Sequence, residues 1–190
     1  MSFPTSPVPN YIAIQSLNPT YTSVTHSLKR QVRTRGGQRW SMDVTFPPLT
    51  RTDFAPVWAF AQKQKGQFGT FTFTPPIYSN TSGTATGTLR VNNSAGYIAG
   101  TTTITVDGLT GTLKAGDFIK FAGHDKVYAI VSDATTSLTI EPVLQLPVVN
   151  NEVVTYNAVP FTVSFTSDTQ NMTVGANGFV NYDMKLIEVV

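Results

Sequence analysis

The chain has 190 residues, of which 41% are hydrophobic and 13% charged, and its net charge is +2. That length suits one compact domain or two small ones, and the charged fraction is about half of an ordinary ~25%. There is no cysteine, which excludes disulfides, thiolate nucleophiles and thiolate metal sites. No apolar run reaches the ~18 residues that cross a bilayer, so no membrane anchor is expected. The first ten residues lack both a basic and an apolar region, so no secretory signal is expected there.

Residues 1–10 carry Pro4, Pro7 and Pro9 and read as an extended arm, loose unless it docks on a neighbour. Ordered structure begins near Tyr11–Ile14. Residues 21–35 are polar and read as two short paired strands. Five of the thirteen basic residues cluster over residues 29–39, Lys29, Arg30, Arg33, Arg35 and Arg39, and no acidic residue precedes Asp43. After Gly36-Gly37, Trp40, Met42, Val44 and Phe46 alternate with Ser41, Asp43 and Thr45, the period of a half-buried strand. Pro47-Pro48 ends it.

A helix over residues 54–65 follows, because Phe54, Val57, Trp58 and Ala61 form one apolar stripe. Asp53 is the expected N-cap, since it places Pro56 where a missing N–H costs nothing. Lys63 and Lys65 suit the last turn, and Gly66 the exit. Phe71 and Phe73 then alternate with Thr70 and Thr72. Nothing else in the chain reads as helical.

Composition shifts after Pro75-Pro76. Residues 79–103 are rich in Ser, Thr, Gly and Asn. Short strands are expected at Ile104/Val106, 118–121, 127–131, Leu138/Ile140 and 153–156, with turns about every ten residues. That rhythm indicates a small β-barrel or sandwich. Phe161, Val163 and Phe165 restore the earlier alternation, and a last strand runs from Tyr182. The chain thus reads as a mainly β protein with one flanking helix. Residues 1–78 and 158–190 build one β-sandwich, and residues 79–157 form an inserted small β domain. Phe73 and Phe161 should then lie side by side.

Candidate chemistry is sparse. There are two histidines, His26 and His124, and three glutamates, and no zinc spacing, nucleophile elbow or phosphate loop. No catalytic, metal or cofactor-binding residue is assigned. His124-Asp125-Lys126 reads as a hairpin tip. The 29–39 cluster reads as a subunit-facing or solvated strand pair in preference to a nucleic-acid grip, because no aromatic interrupts it and the net charge is small.

Several segments together carry a resemblance. Gly36-Gly-Gln-Arg-Trp40, the strand into Phe46-Pro-Pro-Leu-Thr50, the helix, and Gly66-Gln-Phe-Gly-Thr-Phe71 resemble tail proteins of tailed bacteriophages, the distal tail protein most closely. Leu113-Lys-Ala-Gly-Asp-Phe-Ile-Lys-Phe121 is similar to a segment recurring in such proteins. The resemblance implies a tail-tube-like β-sandwich with a flanking helix, and a homo-oligomeric ring, commonly a hexamer. It implies a virion component made in the host cytoplasm that joins the tail tube to the tail tip or baseplate hub. Duplex DNA would meet it only in transit through the central channel during genome ejection. The candidate subunit-interface residues are Lys29, Arg30, Arg33, Arg35 and Arg39. Alternatives are a tail-tube or tail-terminator subunit, or a carbohydrate-binding β module using Tyr78, Tyr97 and Tyr128. An enzyme is not expected.

Overall fold

A computed structural model describes residues 1–190. The chain is mainly β with one α-helix, as the sequence patterning predicts. Its first half runs β1 (Tyr11–Leu17), β2 (Thr20–Val24), β3 (Arg30–Thr34), β4 (Arg39–Thr45), α1 (Arg51–Lys63) and β5 (Phe71–Phe73). There follow β6 (Arg90–Val91), β7 (Thr103–Asp107), β8 (Phe118–Phe121), β9 (Val127–Ile130), β10 (Ser137–Glu141) and β11 (Val154–Thr155). The chain closes with β12 (Phe161–Phe165), β13 (Met172–Val174) and β14 (Val180–Glu188). Contacts divide it into two compact units. One comprises Pro9–Gly69 and Ser164–Glu188, the other Met1–Val8, Thr70–Val163 and Val189–Val190.

In the first unit β4 pairs antiparallel with β1 on one side and with β14 on the other, and β13 also pairs with β14. Alternation decides which side chains go inward. Met42, Val44 and Phe46 are buried, as are Val180, Tyr182, Met184 and Leu186 from β14. Helix α1 covers this face. Tyr182 is its hub, with ring centroids 5.4 Å from Phe54, 6.1 Å from Phe46 and 6.3 Å from Trp58. Its hydroxyl hydrogen-bonds Gln170 Oε1 at 2.9 Å, and burial raises its pKa well above the ordinary phenol value.

The helix starts three residues earlier than the apolar stripe suggests. Thr50 is the N-cap: its Oγ1 accepts from the Asp53 N–H at 3.3 Å, and its hydroxyl donates to Asp53 Oδ2 at 2.7 Å. The expected cap at Asp53 is therefore incorrect, and Pro56 lies inside the helix. Two capping contacts and an extra turn outweigh the one intrahelical bond that Pro56 removes. At the other end the chain turns through Lys65 and Gly66, both at positive φ. A β-carbon on Gly66 would lie 2.7 Å from the Asp168 backbone, so only glycine lets this turn sit against that loop.

The second unit holds a six-stranded sheet in the order β11-β8-β9-β10-β7-β6. It is nearly closed. Arg90 bridges Val153, the Val91 N–H donates to the Glu152 carbonyl, and the Val154 N–H donates to the Leu89 carbonyl, each of these two bonds 2.9 Å. Closure removes the edges that a low-charge β domain otherwise exposes. The interior is filled by Leu89, Ile104, Leu113, Ile119, Phe121, Tyr128, Ile130, Leu138 and Ile140, among others. Asp117 ties one rim. It is buried, and it accepts from the Thr81 and Ser82 hydroxyls and from the Ser82 and Lys114 N–H groups. Burial pushes its pKa up, but these four donors outweigh that and hold it below the ordinary 3.8.

In the same unit β5 pairs with β12, and Phe161 stands opposite Phe73, the juxtaposition expected from the sequence. The ends of the 79–157 stretch also meet. The Val159 N–H donates to the Ser79 carbonyl at 2.9 Å, and the Ala158 N–H to Asn80 Oδ1 at 2.8 Å. The Pro-rich arm is docked instead of loose. The Phe3 N–H donates to the Thr72 carbonyl and the Thr72 N–H to the Met1 carbonyl. Phe3 is buried against Phe71 and Phe73, at 6.1 and 5.6 Å. The apolar Phe3, next to three prolines, supplies the burial that holds the arm.

Two stability tests follow. Tyr182→Ala should cost about 3–5 kcal/mol and Tyr182→Phe about 1 kcal/mol in denaturant unfolding, because the first empties the hub and the second removes only its hydrogen bond. Asp117→Ala should cost about 3 kcal/mol, since it strands two backbone donors. Because the folded pKa of Asp117 is depressed, its contribution is complete above the ordinary value and is lost as pH falls through the folded one. Wild type should therefore show an acid loss below about pH 4 that the variant lacks.

Candidate functional site

Strands β1 and β4 continue outward into β2 and β3. Leu17 pairs with Arg39, the Arg35 N–H donates to the Pro19 carbonyl, and Thr20 pairs with Thr34. Residues 11–45 are thus one antiparallel ribbon. Its base is supported, because β4 also pairs with β14, and two polar side chains are buried there. Gln38 Nε2 donates to Ser16 Oγ at 2.9 Å, and Glu188, fully buried, accepts from the Trp40 N–H at 3.1 Å. The far half has no such support. Every residue from Thr20 to Gly37 is exposed except Thr25, which is intermediate.

The sequence made the strand pair legible but not its two faces. The register sets Tyr21 opposite Arg33 and Ser23 opposite Gln31. Alternation adds Lys29 and Arg35 to that face, and the Arg35 guanidinium lies 4.6 Å over the Tyr21 ring. The opposite face carries Thr20, Thr22 and Val24 against Thr34, Val32 and Arg30. Tyr21, Val24, Leu28 and Val32 are at least half exposed. An open recess of about 330 Å³ runs along the ribbon beside Tyr21, Gln31 and Arg33.

The five candidate interface residues are therefore placed as follows. Lys29, Arg33 and Arg35 share one face, Arg30 lies on the other, and Arg39 stands at the base in β4. All five are exposed. Sequence reading missed Tyr21, Val24 and Val32 as their partners, although the alternation of 20–24 was available to find them. Against a net charge of +2, these five cations leave the rest of the chain at −3.

The His124 segment is the other cluster of interest. It lies at the β8–β9 turn, as expected for a hairpin tip, but it is not a wet one. His124 is 4% exposed and Lys126 2%. His124 Nδ1 lies 2.8 Å from the Tyr128 hydroxyl, and the Gln145 N–H donates to that hydroxyl oxygen at 3.1 Å. Burial lowers the His124 pKa, opposed by the Pro147 carbonyl and the Glu152 carboxylate. An adjoining recess of about 220 Å³ is lined by His124, Asp125, Lys126, Gln145 and Leu146. Asp125 turns away to accept from the Thr162 hydroxyl at 2.9 Å. No group of three or more His, Asp and Glu side chains is gathered to hold a metal ion.

Of the tyrosines considered as carbohydrate contacts, Tyr78 is exposed. Tyr128 is fully buried, and Tyr97 is partly buried with its hydroxyl accepting from the Thr105 N–H. Tyr128 belongs to the barrel core because the alternation of β9 carries it inward.

No protein-family model matches this chain, and no curated protein matches it.

An exposed two-stranded ribbon makes a direct prediction. Amides of Thr22, Ser23, Gln31 and Val32 should exchange with solvent close to the unprotected rate in the dilute monomer. Those of Met42 and Val44 should be strongly protected. Hydrogen-exchange mass spectrometry of the 11–45 peptides reads the contrast.

Proposed function

We propose that this chain is a structural subunit that closes into a ring at the distal end of a bacteriophage tail, between the tail tube and the tip. One observation carries the reading: the ribbon of residues 20–37 is open to solvent on both faces. A two-stranded hairpin alone is marginal in water, and its edges offer rows of unpaired backbone groups. A second copy of the chain can satisfy both. Identical subunits joined head to tail use a heterologous contact that closes by rotation into a ring. Charge favours the same partner, because a basic ribbon meets a remainder that is net negative.

The basic residues are assigned to that protein contact and not to the channel. Each cation on phosphate adds salt-dependent affinity, and a channel for duplex DNA must release its cargo. The closed barrel with its own core supports the distal position over a plain tube subunit, which has less need of a second hydrophobic core. The subunit works by shape, and no catalytic role is proposed.

Negative-stain microscopy of the purified chain should show rings with a central hole. Replacing Arg33 and Arg35 together by Glu should weaken self-association by about tenfold or more, as like charges then meet across the contact. Light scattering across a concentration series measures it. A chain that stays monomeric at high concentration would overturn the reading. So would a double variant that assembles normally and loses only binding to duplex DNA.

A further inference from the structure

Charge is unevenly distributed along this chain. No acidic residue precedes Asp43, and no lysine, arginine or histidine lies between Lys126 and Lys185. That second stretch holds Asp133, Glu141, Glu152, Asp168 and Asp183. Asp168 and Asp183 fall in the unit that carries the ribbon, and both are exposed. In sequence they bracket β13 and the turn that follows it. The first cation after them, Lys185, stands opposite Asp43 in the sheet.

Strand β13 pairs with β14 and takes no strand on its other edge, and its three residues are exposed. The Gly175 N–H donates to the Phe179 carbonyl, which sets the alternation of the ladder. Thr173 and Asn181 form the next bonded pair, so Met172 and Val174 turn their N–H and C=O groups toward the open edge. Met172, Val174 and Phe179 also leave apolar side chains exposed there.

Register puts this hairpin and the ribbon at opposite ends of β14. Strand β13 pairs with Val180–Tyr182, β4 pairs with Asp183 to Ile187, and the ribbon leaves the sheet beyond Arg39. From Val180 to Ile187 the strand runs about 23 Å. No residue from Thr20 to Gly37 is buried, so the ribbon does not fold back onto its own sheet. One end of the sheet thus offers a basic hairpin, and the other an acidic hairpin with an open edge.

We propose that the β13–β14 hairpin is the acceptor for the ribbon of a second copy. One edge of the incoming ribbon pairs with Met172–Val174. Its cations Lys29, Arg33 and Arg35 meet Asp168 and Asp183, and Val24, Leu28 and Val32 cover the exposed apolar side chains. This names the partner surface of the ring contact and rests on that reading. Because donor and acceptor are different surfaces, each copy that docks keeps one of each for the next, as a head-to-tail contact requires.

Analytical ultracentrifugation of the full chain tests the proposal by charge exchange. Asp168→Lys with Asp183→Lys should weaken self-association about tenfold or more, as Arg33→Glu with Arg35→Glu does, because each double variant sets like charges across the contact. Mixed one to one, the two should assemble again, since every contact between unlike variants then joins opposite charges. Asp168 also accepts from the Gln67 N–H, so a second variant spares it. Val174→Pro removes one outward N–H from an edge strand, where proline fits, and should likewise weaken association. A monomeric wild type overturns this inference and the ring reading together. A wild type that assembles through Arg33 and Arg35, yet is indifferent to both acceptor changes, overturns the inference alone. So does a mixture of folded variants that stays monomeric.

Discussion

A strand presents N–H and C=O groups on both of its edges, and each must find a partner or meet water. In a chain with a single helix and few charges, that requirement shapes almost every feature described above. The barrel meets it by bending its sheet until Arg90 reaches Val153. Strand β5 meets it with β12 on one side and residues Met1–Phe3 on the other. Strand β4 meets it with β1 and β14. Strands β2 and β3 meet it only halfway, since they have each other and nothing more. The functional reading grows out of that exception.

The interior is tuned by the same accounting. Asp117 survives burial because four donors converge on it, and Tyr182 because its hydroxyl finds Gln170. Glu188 is fully buried beside the base of the ribbon, where it takes the Trp40 N–H that begins β4. His124 is the opposite case. Burial lowers its pKa, with the Pro147 carbonyl and the Glu152 carboxylate opposing, whereas the donors around Asp117 outweigh the burial there.

Much of this was legible from residue order. Period-two alternation located β4, β12 and β14, and turn residues separated β7 to β10. The apolar stripe found the helix, and the basic run marked the ribbon. The misses share a cause: they concern what a segment meets, not what it is. Thr50 was passed over as a cap because local reasoning about Pro56 favoured Asp53, and the reciprocal Thr50–Asp53 contacts are only visible in place. The prolines make the arm legible as extended, but the single Phe3 does not announce where it docks. The turn formers Gly123 and Asp125 mark His124 as a hairpin tip, which it is, but they carry no sign that the tip is buried. Its spacing of four from Tyr128 would have been a clue only had Tyr128 been recognised as core. The functional proposal rests on the exposed ribbon and its charge.

The position of β14 in the sheet also bears on how the molecule is made. Ser41, in β4, donates to the carbonyl of Leu186, 145 residues downstream. The 11–45 ribbon, built from neighbours in sequence, can pair as soon as it leaves the ribosome. Its sheet cannot be completed, nor can Tyr182 reach the helix, until synthesis has passed Glu188. Incomplete translation products would carry the sticky part without the body that anchors it. Order of synthesis thus decides which contacts form first: the ribbon is ready early, and the strand that steadies its base arrives last.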